Sequence, residues 1–209
     1  MTAMLTDLSV EDFVQCLASA DPAPGGGGAS ALAGALGASL AGMVAALTMD
    51  KPAYREAEEA IRQADEKMTE IRKEFLAAVS RDAAAFTPLA QAYALPRQAE
   101  NRDQILETCL NRAAAVPMDI IRLSVRALTL AEIGASRGSL LAISDSATAA
   151  SLLRSAAEGG KINVLANTRL MKDREKAEEW DQEAQRLLAL CEETNRRIQH
   201  IVQERLGLA

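Results

Sequence analysis

Aromatic side chains are scarce in this chain of 209 residues, which has three Phe, two Tyr and one Trp. The six prolines and twelve glycines are partly clustered, so the regularly spaced turn signals of a β-sandwich or barrel are missing. Alanine, by contrast, occurs 42 times and is the strongest helix former. The composition therefore excludes an all-β fold and predicts one all-α domain that spans residues 1–209.

Cysteine and histidine are also rare. Cys16, Cys109 and Cys191 lie far apart without a CxxC pair, and His200 is the single histidine. This pattern fits neither a disulfide framework nor a structural zinc site. We therefore expect no metal ion, and no catalytic role for His200 on a charged terminal helix.

The chain has no block of basic residues, and its net charge is -6. A nucleic-acid partner is therefore not expected. The N-terminal segment carries acids where a signal peptide has a basic region and an apolar run, which predicts a cytoplasmic protein.

Residues 22–49 contain no charged side chain and are long enough to cover a bilayer. They are mostly Gly, Ala and Ser, however, with only five Leu or Val residues. This composition favours a buried helix over a membrane span. Gly34, Ala38 and Gly42 recur every four residues and predict a close helix contact, within the chain or across a dimer.

Periodicity and capping residues predict an up-and-down bundle with two long amphipathic helices. The first predicted helix runs from Ser9 to about Ser19 and is followed by the uncharged helix; a long helix is then opened by Pro52 and ends between Pro88 and Pro96.

The next predicted helix begins at about Asp103 and kinks or restarts at Pro117, and an apolar run then continues to Ile133 before a loop at 134–139. A further helix is capped by Ser144 or Asp145 and ended by Gly159 and Gly160. The last helix begins between Asn163 and Asp173 and ends near Leu206.

Four consecutive glycines, Gly25, Gly26, Gly27 and Gly28, precede the uncharged helix. They expose backbone N–H groups at the positive end of a helix dipole, where anions bind. They do not match a nucleotide-binding P-loop. The alternative is that the glycines only allow a tight turn and close packing.

Two acidic residues are candidates for proton transfer. Asp82 precedes three alanines and Phe86, a small apolar setting in which burial would raise the pKa of a carboxyl group. Asp145 follows an apolar run at a predicted helix start, where the dipole would keep it ionised. The alternatives are a paired acid for Asp82 and an N-cap for Asp145.

Other polar residues could bind a ligand. Asn163 and Asn167 are four residues apart and would share a helix face or flank a turn, where carboxamides offer donors and acceptors to a heterocycle. Capping near Gly160 is the alternative. Lys51 and Tyr54 follow the uncharged helix and could close over its far end, unless Lys51 is only a solvated lysine.

Several motifs together resemble the formimidoyltetrahydrofolate cyclodeaminase and methenyltetrahydrofolate cyclohydrolase family, over nearly the whole chain. They are Pro22-x-Pro24 with the glycines and the Ala/Gly-rich helix, Lys51 with Tyr54, Asp82-x-x-Ala85-Phe86, Val116-Pro117, Ser144-Asp145 with Ala149, and Asn163-Val164-x-x-Asn167. The chain departs from the family pattern at Asp50–Ala53, Gly138-Ser139 and Ala147-Thr148.

The resemblance implies an all-helical homodimer without a metal, and a tetrahydrofolate substrate, with or without a polyglutamate tail, in a cleft lined by the glycine loop and by Ser144 and Asp145. It implies conversion of 5-formimidoyltetrahydrofolate to 5,10-methenyltetrahydrofolate with release of ammonia. The alternative reaction is hydrolysis of the methenyl bridge to 10-formyltetrahydrofolate. A non-catalytic folate-binding or scaffold protein is the alternative from a different class.

In either reaction we expect Asp82 or Asp145 to shuttle a proton while the other carboxylate orients the pterin. The glycine-loop amides and Lys51 are expected to hold the glutamyl carboxylates or to polarise the reacting centre. Tyr54, Ser144, Asn163 and Asn167 complete the predicted substrate site.

Overall fold

The computed structural model describes residues 5–208, and all regular structure in that range is helical. The α-helices are α1 (Val10–Leu17), α2 (Gly26–Ala46), α3 (Glu58–Ala94), α4 (Arg102–Arg137), α5 (Ile143–Thr168) and α6 (Arg174–Arg205). Short 3₁₀ turns occupy Leu5–Asp7, Pro52–Tyr54 and Leu140–Ala142. The predicted all-α bundle is confirmed. Residues 1–4 lie outside the described range; they are part of the N-terminal segment that differs from a signal peptide.

Two helix starts follow the expected capping chemistry. The Ser9 hydroxyl accepts a hydrogen bond from the Asp12 backbone N–H at 3.0 Å and begins α1. Asp173 accepts one from the Lys176 N–H at 2.9 Å and begins α6. Each cap supplies an acceptor to an N–H group that has no partner within the helix.

The uncharged helix α2 lies against α3 on one side and α5 on the other. A Cβ atom at Gly34 would lie 2.4 Å from the buried Phe75 ring of α3, and one at Gly37 would lie 2.8 Å from Leu153 of α5. The residues pair in opposite order along the chain, because Gly27 meets Asp82 and Gly42 meets Asp65. The antiparallel contact with α3 thus uses the small-residue face within the chain.

Pro52 does not open the long helix as predicted, and of the two outcomes expected at Pro117, a kink or a restart, the restart does not occur. Pro52 begins a short 3₁₀ turn, and α3 starts only at Glu58. Pro117 lies inside α4, which continues as one helix to Arg137 instead of restarting. The expected loop at 134–139 shortens to the residues after Arg137. Tertiary packing of α4, buried along much of its length, offsets the cost of an interior proline.

The glycine pair Gly159 and Gly160 does not end a helix either. α5 begins at Ile143, so Ser144 and Asp145 lie in its first turn rather than at its N-cap, and it continues to Thr168. A Cβ at Gly159 would lie 2.1 Å from the Ser30 hydroxyl, and one at Gly160 would lie 2.8 Å from Ile121. These glycines therefore allow α2 and α4 to approach α5 closely.

The bundle consequently has more long helices than the two expected. α3, α4 and α6 contain 37, 36 and 32 residues, and α5 contains 26. The sequence pattern predicts fewer long helices because proline and paired glycines usually end a helix, whereas here Pro117 lies inside α4 and Gly159 and Gly160 lie inside α5. The two helices predicted to be amphipathic, α3 and α6, each bury an apolar face, on which Phe75 and Cys191 are fully buried.

α2 is apolar on its outer side as well as on its inner side. By length and composition it could cross a membrane, yet its inner side is packed into the bundle against α3, α4 and α5. Its outer side carries Leu36, Met43 and Leu47, each more than one-third exposed. A helix that is hydrophobic all round is normally buried on all sides.

We expect Gly34→Ala to destabilise the protein by about 1–3 kcal/mol, because the new methyl group would overlap the Phe75 ring in a filled core. Thermal unfolding measures this as a lower Tm. Gly42→Ala is the matched control on the same helix, since its nearest neighbours are the side-chain ends of Asp65 and Arg72, which can move. Gly42→Ala should be neutral or stabilising, and an equal loss in both variants would contradict the assignment of Gly34 to a tight contact.

Candidate active site

A cleft with a volume of about 160 Å³ opens at the N-terminus of α2, between the second half of α3 and the C-terminal part of α5. It brings together six of the predicted site residues, from three helices and the preceding loop. The cleft is lined by Pro22, Ala23, Gly25, Gly26, Gly27, Asp82, Ala83, Phe86, Ala113, Pro117, Asn163 and Asn167.

The glycines of this cleft leave room for its polar side chains. A Cβ at Gly27 would lie 2.1 Å from Asp82 Oδ1, and one at Gly26 would lie 3.3 Å from Asn163 Nδ2. A side chain at Gly27 is therefore incompatible with the observed position of the Asp82 carboxyl group. The glycines thus have a packing role, and they also bring the backbone N–H groups of the first turn of α2 to the cleft.

Asp82 is the titratable group inside the cleft. Burial raises the pKa of its carboxyl group, and a hydrogen bond from the backbone N–H of Gly28 opposes part of that rise. The neighbouring Arg81 does not neutralise it, since its guanidinium pairs with Asp119 at 3.1 Å. A carboxyl group with a raised pKa exchanges protons closer to neutral pH than an ordinary one, as general acid and base catalysis requires.

Asn163 and Asn167 lie one turn apart on the same face of α5, so the helix-face alternative of the sequence interpretation is the observed one. The Asn163 amide donates to the Gly159 carbonyl at 2.8 Å, and the Asn167 amide donates to the Asn163 carbonyl at 2.8 Å. Both side chains are half-buried. They do not cap a helix near Gly160, because α5 continues through Gly160 to Thr168.

Gly28 lies beside Asp82 in the first turn of α2, whereas four other predicted site residues lie at the opposite end of α2 and α5: Lys51, Tyr54, Ser144 and Asp145. The Tyr54 hydroxyl accepts a hydrogen bond from the Leu140 N–H at 3.1 Å, and this bond is the largest cause of a lowered pKa at Tyr54. Lys51 is close enough for its positive charge to lower the pKa of Tyr54 as well. Ser144 is exposed and Asp145 half-buried in the first turn of α5.

The structure therefore does not bring Asp82 and Asp145 of one chain together. Asp145 precedes Asn163 by eighteen residues of continuous helix, which is roughly 27 Å at 1.5 Å per residue. The expectation that both carboxylates act on one substrate does not hold within a single chain. The glycine loop and the Ser144-Asp145 segment likewise line different ends of the bundle.

Phe86, Ala113 and Pro117 belong to the cleft, although they were not predicted as substrate-site residues; Phe86 and Pro117 entered only as parts of the family motifs. Phe86 follows Asp82 by one helical turn, and its ring is 39% exposed at the cleft. The spacing of four from Asp82 was the available signal. Nothing in the sequence pattern placed Ala113 beside Asn167, because α4 and α5 meet only in the tertiary structure.

No cluster of three or more His, Cys, Asp or Glu side chains suited to a metal ion occurs within residues 5–208. His200 has an exposed side chain on α6, 3.3 Å from Glu204, and does not line the cleft.

The chain matches the formiminotransferase-cyclodeaminase family over residues 9–186. It is 35% identical over 203 residues to a methenyltetrahydrofolate cyclohydrolase of Methylorubrum extorquens, covering 95% of this chain and 98% of that protein. It is 31% identical over 173 residues to the mouse formimidoyltransferase-cyclodeaminase, which covers 81% of this chain but only 32% of the mouse protein.

Among solved structures, a formiminotetrahydrofolate cyclodeaminase from Thermotoga maritima superimposes with a TM-score of 0.88 at 29% identity, covering 96% of this chain and 98% of that one. The chain thus has the fold of a folate-dependent enzyme. It belongs to the formiminotransferase-cyclodeaminase family.

We expect Gly27→Ala to lower turnover by at least about 100-fold, because the methyl group would displace the Asp82 carboxyl group from the Gly28 N–H. Steady-state kinetics on a reduced folate would measure the loss. Gly42→Ala is the control, since it adds the same methyl group to α2 outside the cleft, next to the movable side-chain ends of Asp65 and Arg72. Full activity in Gly27→Ala would show that the position of Asp82 does not matter.

Proposed function

We propose that the protein acts on the one-carbon unit between N5 and N10 of a reduced folate bound in the cleft at the N-terminus of α2. The observation that carries this proposal is the position of the half-buried Asp82 carboxyl group, which lines the cleft and meets the backbone N–H of Gly28. Its partial burial raises its pKa. Such a group can take a proton at one atom of the substrate and return it at another.

Hydrolysis of 5,10-methenyltetrahydrofolate is the reaction we favour, supported by the match to the Methylorubrum cyclohydrolase along nearly its whole length. Water adds to the bridging carbon, and ionised Asp82 accepts one proton from it. The bond from that carbon to N5 then breaks with its electron pair going to N5, which receives the proton from Asp82. The second proton of the water is released, leaving a formyl group on N10.

Cyclodeamination of 5-formimidoyltetrahydrofolate is the second candidate, supported by the likeness to the Thermotoga cyclodeaminase. The formimidoyl group reacts in its protonated form, N5–CH=NH2⁺, and N10 attacks its carbon. Asp82 transfers the N10 proton to the departing NH2 group, which leaves as ammonia, and the methenyl bridge keeps the positive charge. Both reactions use the same two substrate nitrogens and one proton relay, so a single carboxyl group in the cleft serves either.

The two reactions are separated by following the near-ultraviolet absorbance of the methenyl bridge with each substrate. Decay of 5,10-methenyltetrahydrofolate faster than in buffer identifies the hydrolase, whereas a growing signal from 5-formimidoyltetrahydrofolate with release of ammonia identifies the deaminase. Asp82→Asn should lower the active rate by about 100-fold or more. No turnover of either substrate by the unaltered protein would favour a folate-binding or scaffold protein.

Asp82→Asn should at the same time unfold at a higher Tm than the unaltered protein at pH 7. The folded-state pKa of Asp82 is raised, so ionisation costs stability once the pH exceeds the ordinary range of a carboxyl group, about 4. The gain should therefore disappear as the pH falls to about 4. A Tm difference that does not change with pH would contradict the raised pKa.

We also propose that the enzyme is a dimer in which the outer side of α2 packs on α2 of a second copy. This side is uncharged from residue 22 to residue 49 and is continuous with exposed Leu76 on α3 and Val10 and Val14 on α1. An antiparallel two-fold pairing would bury it and would lay the C-terminal end of one α2 beside the N-terminal end of the other.

Such a pairing would place the Lys51, Tyr54 and Asp145 end of one chain next to the Asp82 cleft of the other. The two groups of predicted site residues, which one chain keeps roughly 27 Å apart along α5, would then complete one site. The folate tail would run toward Lys51 of the second copy. Each chain would thus contribute its Asp82 cleft to one of two equivalent sites and its Lys51, Tyr54 and Asp145 end to the other.

Mixing two inactive variants tests this arrangement. Asp82→Asn and Asp145→Asn, unfolded together and refolded at equal amounts, should recover about a quarter of the normal activity, because half of the dimers are mixed and each has one intact site. Each variant refolded alone is the control. Absence of recovery, or full activity of Asp145→Asn by itself, would contradict a shared site.

A further inference from the structure

The side-chain amides of Asn163 and Asn167 are both oriented by backbone carbonyl groups. Asn163 Nδ2 donates to the Gly159 carbonyl oxygen at 2.8 Å. Asn167 Nδ2 donates to the Asn163 carbonyl oxygen at 2.8 Å and to the Ala113 carbonyl oxygen of α4 at 3.4 Å. The reverse orientation would place an amide oxygen against these carbonyl oxygens, where neither atom can donate.

Pro117 explains why the Ala113 carbonyl is free to accept from Asn167. In a regular helix the N–H of residue 117 would donate to the carbonyl of residue 113, but proline has no N–H. The proline inside α4 thus leaves an acceptor without its usual donor, and Asn167 on the neighbouring helix takes that place. The orientation of the Asn167 side chain is therefore fixed from two helices.

Both carboxamide oxygens are left without a hydrogen-bond donor. Neither Asn163 Oδ1 nor Asn167 Oδ1 accepts from any group among the described residues, and both residues line the cleft. On the opposite wall stands Asp82, one turn before Phe86 on α3. The α5 side of the cleft therefore presents two amide oxygens that are free to accept, while both N–H groups of Asn167 and one N–H group of Asn163 already have partners.

We propose that Asn163 and Asn167 determine specificity by accepting hydrogen bonds from N–H donors on the amino-pyrimidine edge of the bound pterin. This inference rests on the proposed folate site and adds the orientation of the ring within it. With the amino-pyrimidine edge at α5, the N5 and N10 edge faces Asp82 on α3. A heterocycle that presents only ring-nitrogen or oxygen acceptors to α5 binds more weakly, because its acceptors would face the two amide oxygens.

The test compares two ligands by calorimetry: 5-formyltetrahydrofolate, which keeps a one-carbon group on N5, and its 2-desamino analogue, which lacks the 2-amino donor. The unaltered protein should bind the analogue at least about tenfold more weakly, since the Asn oxygens lose a partner in the bound state. In the double variant Asn163→Leu/Asn167→Leu the parent ligand should bind at least about tenfold more weakly, and the ratio between the ligands should fall below about threefold.

Asn111→Leu is the matched control. The Asn111 amide donates to the Glu107 carbonyl four residues earlier at 3.0 Å, as the two cleft asparagines do to their own carbonyls, but Asn111 does not line the cleft. This variant should keep both affinities. If the leucine pair does not fold, as judged by thermal unfolding, the alanine pair Asn163→Ala/Asn167→Ala takes its place with the same expected ratio.

An unchanged ligand ratio in the asparagine double variant would overturn the inference while leaving the folate site intact. A ratio that collapses in Asp82→Asn instead would mean that the amino-pyrimidine edge faces α3. If the unaltered protein binds neither ligand, the proposed function itself fails, and the orientation of the pterin fails with it.

Discussion

The close approach of α2 to α3 and α5 is the contact on which the bundle and the cleft both depend. It is possible because α2 has no side chain at the points of contact: Gly27 meets the Asp82 carboxyl group, Gly34 meets the Phe75 ring and Gly37 meets Leu153. The same approach fills the core in the middle of α2 and brings backbone N–H groups to a carboxyl group at its first turn. A larger side chain at Gly34 would overlap the Phe75 ring in the core, whereas one at Gly27 would displace the Asp82 carboxyl group.

The Asp82 site balances two electrostatic effects. Burial opposes ionisation of the carboxyl group, and the Gly28 N–H at the start of α2 favours it. Burial is the larger effect, so the group retains its proton to a higher pH than an exposed aspartate. A residue that is suited to proton transfer in this way costs stability at neutral pH, which is a common property of catalytic groups.

Residues that usually end helices are used here as contacts between helices. Pro117 leaves the Ala113 carbonyl free to accept from Asn167. Gly160 has no Cβ atom, so the Pro117 carbonyl oxygen lies only 2.9 Å from the position that a Cβ of residue 160 would occupy. Both are unfavourable in an isolated helix. In this bundle, contacts with a neighbouring helix offset the unfavourable free energy of each residue. The two residues lie where α4 and α5 form one side of the cleft.

The sequence by itself determined the helical class, the buried registers of α3 and α6, the Ser9 cap and the identity of Asp82 as a carboxyl group among small apolar neighbours. These features depend on residues close together in the chain. Only the tertiary structure decided that α4 passes through Pro117, that α5 passes through Gly159 and Gly160, and that Asp82 and Asp145 lie at opposite ends of the bundle. Each depends on which helices pack together, and packing between distant segments can outweigh local preference.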